Sequence, residues 1–196
     1  AGVGKTRLAA EALASLGVKA ARGRCLSYGE GITYWPVVEV LKQLDELGEA
    51  PPSAVVVPVG GGGLASGIAL AIPDAVIIGA EPEGWDDMRR SLAAGEIVPV
   101  EKDAPLTLCD ALQTPRVSPI TFGILQDRKA QVVAVSEAEV AEAVRWAWEH
   151  HELLVEPGGA AALAAVLSGK APARDGMVII LSGGNIDPAL HERLVS

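Results

Sequence analysis

The sequence predicts a three-layer α/β fold, a parallel sheet with helices on both faces and a helical N-terminal arm in front of it. Three observations carry that prediction. From residue 54 onward, short β-branched runs alternate with longer Ala-rich segments of helical spacing. The short runs are apolar throughout instead of alternating with polar residues, as strands covered on both faces are. Two of them end in glycine turns, at Gly60–Gly63 and Gly183–Gly184, where a ligand crevice of such a sheet lies. The chain of 196 residues is 49% hydrophobic with 22 Gly, enough to bury a core.

Residues 1–47 read as helix, loop, helix: Thr6 to Leu16 is amphipathic, Gly17 stops it, and Trp35 to Leu47 repeats apolar residues at helical spacing. Residues 48–53, Gly-Glu-Ala-Pro-Pro-Ser, are a linker by composition, which leaves 54–196 as the main domain. Ala54 to Val59 predicts a buried strand, Leu64 to Ile72 a helix, and Ala75 to Ala80 a second buried strand. Together they make a right-handed βαβ unit. An irregular stretch runs through Pro119, followed by a helix around Phe122 to Asp127 and a strand at Gln131 to Val135. Ser136 with Glu139 forms a capping box that starts the next helix, with Val140, Val144 and Trp148 expected on its buried face. His150 and His151 close that helix, as charge partners of its C-terminus in preference to metal ligands. Pro157 to Leu167 predicts another helix, Met177 to Leu181 a buried strand, and Asp187 to Leu194 a final helix.

A formal net charge of -9 leaves no broad basic face, which argues against nucleic acid and anionic membranes as partners. Cys25 and Cys109 lack metal-ligand spacing and read as reduced, structural thiols. No apolar run is long enough to span a bilayer, and the opening Ala-Gly-Val-Gly-Lys is not a secretory leader, so the expectation is a soluble cytoplasmic protein.

The run Val59-Gly60-Gly61-Gly62-Gly63-Leu64 sits between a strand and a helix, where backbone amides and the helix dipole form an anion cradle. A phosphate fits there without a basic side chain, and the alternative is a plain tight turn. Gly61, Gly63 and Gly67 followed by Glu81 also match a dinucleotide-binding spacing, so an NAD site is the rival for this region. The second turn, Leu181-Ser182-Gly183-Gly184-Asn185, is not required by dinucleotide binding and points to one crevice shared by both turns. Glu156 beside Pro157 reads as an N-terminal helix charge.

Several motifs occur in the order and spacing of one family. They are the glycine run, Ala80-Glu81-Pro82 with Asp86-Asp87, Cys109 to Pro115 (Cys-Asp-Ala-Leu-Gln-Thr-Pro), Leu154-Val155-Glu156-Pro157 and Leu181 to Asn185. Residues from about Ser53 to Ser196 thereby resemble the C-terminal part of the pyridoxal-phosphate-dependent threonine/serine dehydratases and serine racemases, enzymes of fold-type II. The resemblance implies that the amides of Gly60, Gly61, Gly62, Gly63 and Leu64 bind the cofactor phosphate and that Ser182 meets the pyridine nitrogen. It also implies a site for Mg²⁺ or Ca²⁺ made by Glu81, the carbonyl of Trp85, and Asp87, whose alternative is a solvated acidic loop. Glu156 would lie near the cofactor pocket. The implied function is that of an ammonia-lyase or racemase of small hydroxy amino acids.

In that family the lysine that holds the cofactor covalently lies in an N-terminal half. None of Lys5, Lys19, Lys42, Lys102, Lys129 and Lys170 stands in its Ser-x-Lys-x-Arg-Gly context. No catalytic residue is therefore nominated, and the chain is expected to be inactive alone. It would act as a homo-oligomer or with a chain that supplies the missing half.

Residues 1–47 resemble something else. Ala1-Gly2-Val3-Gly4-Lys5-Thr6 matches the tail of a Walker A loop, and Gly23 to Pro36 matches P-loop ATPase domains of bacterial transcriptional regulators and cyclase-associated proteins. That resemblance implies nucleotide contacts from Gly4, Lys5 and Thr6, so an ATP-binding module is the second rival.

Overall fold

In the computed structural model, β1 (Ala54–Pro58) is buried at every position, as its Ala-Val-Val-Val-Pro composition requires of a central strand. The structure describes residues 51–196, which form one compact unit. The helices expected before residue 48, Cys25 and the Gly4-Lys5-Thr6 motif lie outside the described residues. A turn and helix α1 (Gly63–Ala71) carry the chain to β2 (Val76–Pro82), which pairs in parallel with β1, Ala54 opposite Val76. Next come α2 (Asp87–Ala94), a single 3₁₀ turn at Asp110–Leu112, α3 (Pro119–Asp127) and β3 (Gln131–Val135). The chain then runs through α4 (Glu137–His151) and α5 (Pro157–Leu167) to β4 (Met177–Ile179) and ends in α6 (Pro188–Val195).

The four strands are all parallel and lie in the order β3-β2-β1-β4. From β1 the chain steps outward to β2 and β3, then returns past its starting point to place β4 on the other side of β1. With right-handed crossovers, a path that reverses direction puts its helices on opposite faces of the sheet. The contacts divide accordingly: α1, α2 and α3 pack among themselves and on the sheet, while α5 lies along β1, β2 and β3 with α4 against it and α6 against α4. Every residue of α5 from Pro157 to Ala165 is buried, and its glycines and alanines let the helix sit close to the strands. Its alanines join Val56, Ile78, Val140 and Val144 in the main hydrophobic cluster.

The capping box is present: the Ser136 amide donates to Glu139 Oε2 at 2.7 Å, and the Glu139 amide donates to Ser136 Oγ at 3.3 Å. His150 and His151 occupy the last turn of α4, where the His150 ring stacks on Trp146 with centroids 4.5 Å apart.

Four expectations need correction. The stretch read as irregular contains α2, which has too few apolar residues for a helical period. It is started by a distant group, the Glu81 carboxylate, which accepts from the amides of Met88 (3.1 Å) and Arg89 (2.8 Å). Trp148 is not on the buried face of α4, which runs through Val140, Ala143, Val144 and Ala147. It is 37% exposed and meets the His191 ring edge to face. β4 ends at Ile179 and is only half-buried, because it is an edge strand. Finally, α3 starts at Pro119, where the Ser118 hydroxyl accepts from the Thr121 amide at 3.2 Å and Pro119 suits the first helical position. No helix among the described residues is long and apolar enough to cross a membrane.

Candidate functional site

The reversal of the chain path leaves a switch point between β1 and β4, where consecutive connections leave toward opposite faces and a crevice opens at the strand ends. Both glycine turns stand there. After β1, the Val59 amide still donates to the Ala80 carbonyl at 2.8 Å, and the turn then feeds α1. Gly62 is buried with φ +81°, a left-handed conformation that disfavours any side chain, and a Cβ there would stand 2.8 Å from Met88 Cε. No described residue accepts a hydrogen bond from the amides of Gly60 to Leu64, and no side chain caps α1. Donors left without a described partner at a helix N-terminus are able to receive an anion.

Residues not singled out by sequence hold this turn in place. Thr121 Oγ1, on the first turn of α3, donates to the Gly61 carbonyl at 2.8 Å, and the Ser66 hydroxyl reaches back to the Thr121 carbonyl at 3.4 Å. Thr114 stands against Gly60 and Gly61 from the other side. The signal for Thr121 was its place three residues after Ser118 and two after Pro119 at a helix start, but nothing in the sequence ties that start to a turn some sixty residues earlier.

The second turn follows β4. The Ile180 amide donates to the Val56 carbonyl at 2.9 Å, keeping the chain beside β1 for one more residue. Ser182 is half-buried, and its hydroxyl bonds no described residue, so it is not consumed in closing its own turn. Glu156 is the N-cap residue of α5, yet its side chain does not cap that helix. It accepts from the Asn185 amide at 3.3 Å instead. A cavity of about 700 Å³ opens beside this second turn, lined among others by Asp110, Ala111, Glu156, Asn185 and Arg193, but neither Ser182 nor any residue from Gly60 to Leu64 lines it. Its size suits a small-molecule ligand. The three described lysines bond neither turn: Lys170 holds Glu139 and the Ala134 carbonyl, while Lys102 and Lys129 are exposed.

Glu81 is the penultimate residue of β2, at the same end of the sheet. It is fully buried, and burial pushes its carboxyl up to about 8; the charges of Asp87 and Asp86 act in the same direction, against the bonds from the Arg89 and Met88 amides. Asp87 is also buried and raised, chiefly by burial, and accepts from the Val117 amide at 2.7 Å. Two buried carboxylates with unfavourable ionisation have the chemistry of cation ligands, although both Glu81 oxygens and Asp87 Oδ2 already accept from backbone amides. They do not fit a ribose, because Glu81 has no exposed surface to offer one. That removes the acidic element of the dinucleotide pattern, and Gly67 is itself buried inside α1. Among the described residues no group of three or more His, Cys, Asp or Glu forms a metal cluster, so the candidate set stays at two carboxylates and the Trp85 carbonyl. Cys109 is buried, and its thiol is pushed up to about 12 by burial, beyond the reach of nucleophilic chemistry at neutral pH.

Known proteins resemble the chain closely enough to fix its ancestry. The model of a family described as pyridoxal-phosphate dependent enzyme matches residues 10–183, a span that begins inside residues 1–47. Serine racemase of Arabidopsis thaliana is 39% identical over 177 residues, covering 84% of this chain and 49% of that protein. L-threo-3-hydroxyaspartate ammonia-lyase of Pseudomonas sp is 36% identical over 179 residues, covering 84% of this chain and 56% of the relative. The crystal structure of the T.th. threonine deaminase superposes with a TM-score of 0.72 at 39% identity, covering 79% of this chain and 57% of that one. The chain thus spans about half the length of the curated relatives it matches. A parallel sheet with two glycine turns at its switch point and a family match over most of the sequence lead to one conclusion: the chain belongs to the family of pyridoxal-phosphate-dependent enzymes.

Proposed function

We propose that this chain supplies the phosphate and ring contacts of a pyridoxal-phosphate-dependent ammonia-lyase or racemase acting on small hydroxy amino acids. The observation that carries the reading is that no described residue accepts from the amides of Gly60 to Leu64, at the strand end next to β4's serine turn. In this reading Gly60, Gly61, Gly62, Gly63 and Leu64 bind the phosphate, with the N-terminal dipole of α1 adding to the attraction. The free hydroxyl of Ser182 bonds the pyridine nitrogen. Pyridoxal phosphate, when bound, withdraws electrons from the α-carbon of an amino acid. A neutral hydroxyl, unlike a carboxylate, does not enforce protonation of the ring nitrogen, and this moderate setting suits elimination or racemisation more than transamination. No described lysine bonds either turn, and a separate chain that contributes the complementary half would supply the covalent step; the alternative assembly is a homo-oligomer. The cytoplasm is the proposed location.

Glu81, the Trp85 carbonyl and Asp87 would hold Mg²⁺ or Ca²⁺, which neutralises the two buried carboxylates and fixes the start of α2. Addition of Ca²⁺ should raise the melting temperature of the protein, and Asp87→Asn should abolish the rise. An equal rise in the variant would remove the site. Gly4, Lys5 and Thr6 would be nucleotide contacts only under the alternative P-loop reading of residues 1–47.

Incubation with pyridoxal phosphate, followed by the melting temperature, borohydride reduction and the intact mass, tests the main reading. A melting shift without a covalent adduct is expected. A stoichiometric adduct on one lysine would show that the chain carries its own attachment point, and no shift at all would defeat the cofactor reading. Protection by NAD or ATP in place of pyridoxal phosphate would favour the dinucleotide or P-loop alternatives.

A further inference from the structure

Among the described residues, the hydrogen bonds of the serine turn go to the start of α5. The Ser182 amide donates to the Gly159 carbonyl at 3.3 Å, the Glu156 amide donates to the Gly183 carbonyl at 3.2 Å, and the Asn185 amide donates to Glu156 Oε2 at 3.3 Å. The approach leaves no room for substituents. A Cβ on Gly159 would overlap the Ser182 carbonyl oxygen, and one on Gly183 would overlap the Glu156 carboxylate. The partners differ in freedom. Gly159 sits in the fully buried part of α5, whereas Gly183 and Gly184 are exposed. Any added bulk at Gly159 is therefore relieved by movement of the serine turn and not of the helix.

We propose that Glu156 and Gly159 are positioning residues that set where the Ser182 hydroxyl stands, Gly159 by permitting contact and Glu156 by clamping the turn from its far side. The proposal rests on the reading that Ser182 meets the pyridine nitrogen. Glu156 then acts on the ring through the backbone of residues 183–185, without touching the cofactor. Position 159 is also a specificity element: it separates ring recognition from phosphate recognition, because the glycine turn after β1 is held by Thr121 and Thr114 and makes no hydrogen bond to α5's first turn.

The test compares three probes on the full chain: pyridoxal phosphate, its deaza analogue with C–H in place of the ring nitrogen, and inorganic phosphate. Wild type should prefer pyridoxal phosphate over the analogue by about five-fold, the worth of one ordinary hydrogen bond. Ser182→Ala should remove that preference. Gly159→Ala and Glu156→Ala should remove it as well, with inorganic phosphate binding unchanged, and Glu156→Gln should keep it because its amide oxygen still accepts from Asn185. In the Ser182→Ala background, Glu156→Ala should cost nothing further, which a merely structural role would not predict. Retention of the preference in both Gly159→Ala and Glu156→Ala would overturn the proposal, and should Gly159→Ala fail to fold, Glu156→Ala and its rescue by glutamine decide alone. A wild type that binds pyridoxal phosphate without any preference sinks the positioning role and leaves the phosphate cradle standing. A wild type that binds neither pyridoxal phosphate nor phosphate sinks both.

Discussion

The two glycine turns stand at neighbouring strand ends, yet they are built in opposite ways. The first follows a fully buried central strand, holds a buried Gly62 in a left-handed conformation, and is braced by Thr121, Thr114 and Met88 from elements on both sides. The second follows a three-residue edge strand, is exposed at Gly183 and Gly184, and depends on one turn of one helix. A rigid cradle for an anion and an adjustable contact for a ring make sense together. A phosphate is the same in every complex, whereas the ring contact must be tuned to the chemistry.

The difference predicts unequal responses to one added methyl group. Gly62→Ala should be the most damaging change, since it combines a strained φ of +81° with crowding against Met88 Cε and Thr121. Strain and overpacking of this kind cost about 1–3 kcal/mol each. The expected outcome is a melting temperature lowered by several degrees and loss of phosphate binding in the same variant. Gly183→Ala has a similar φ of +80° and its Cβ would meet the Glu156 carboxylate, but it lies in an exposed loop that can shift, and it should spare phosphate binding. Equal loss of stability in the two variants would erase the contrast between a braced and a suspended turn.

Thr121 offers a finer cut. Thr121→Val keeps the shape and removes the hydroxyl that donates to the Gly61 carbonyl, so stability should fall by about 1 kcal/mol and phosphate binding should weaken several-fold. Thr121→Ser should restore both. Urea denaturation and phosphate titration on the same samples read the two quantities. If valine lowered stability without touching phosphate affinity, Thr121 would support the fold and not the cradle.

What was legible in the sequence follows the same division. The strand and helix order, the capping box at Ser136 and both glycine turns were visible because each is specified by residues close together in the chain. The helix α2 was not, since its N-terminus is satisfied by Glu81 from the preceding strand, and only folding brings that carboxylate to the Met88 and Arg89 amides. Trp148 was misplaced because period alone puts it on the face of Val140 and Val144, whereas the buried face drifts toward Ala143 and Ala147 where α5 packs. Thr121 and Gly159 were invisible for a related reason: their partners are Gly61 and Ser182, and no local pattern encodes a contact across the sheet.

The third strand end provides a control, because it carries an ion pair in place of a ligand turn. Lys170 Nζ reaches Glu139 Oε2 at 2.7 Å and the Ala134 carbonyl at 2.8 Å, just where β3 gives way to α4. Burial alone would raise the Glu139 carboxyl, but the bonds from Lys170 and from the Ser136 amide and hydroxyl outweigh it and hold the group below its ordinary value of 4.5. A depressed folded-state value means that the stabilisation is complete above the unfolded pKa and disappears as pH falls through the folded one. The advantage of wild type over Lys170→Met should therefore be constant near neutrality, about 0.5 kcal/mol for a pair this close to solvent, and should shrink below about pH 4.5. Phosphate affinity should be the same in both proteins. A change in that affinity would mean that the ligand edge is one connected unit instead of separate turns mounted on a common sheet.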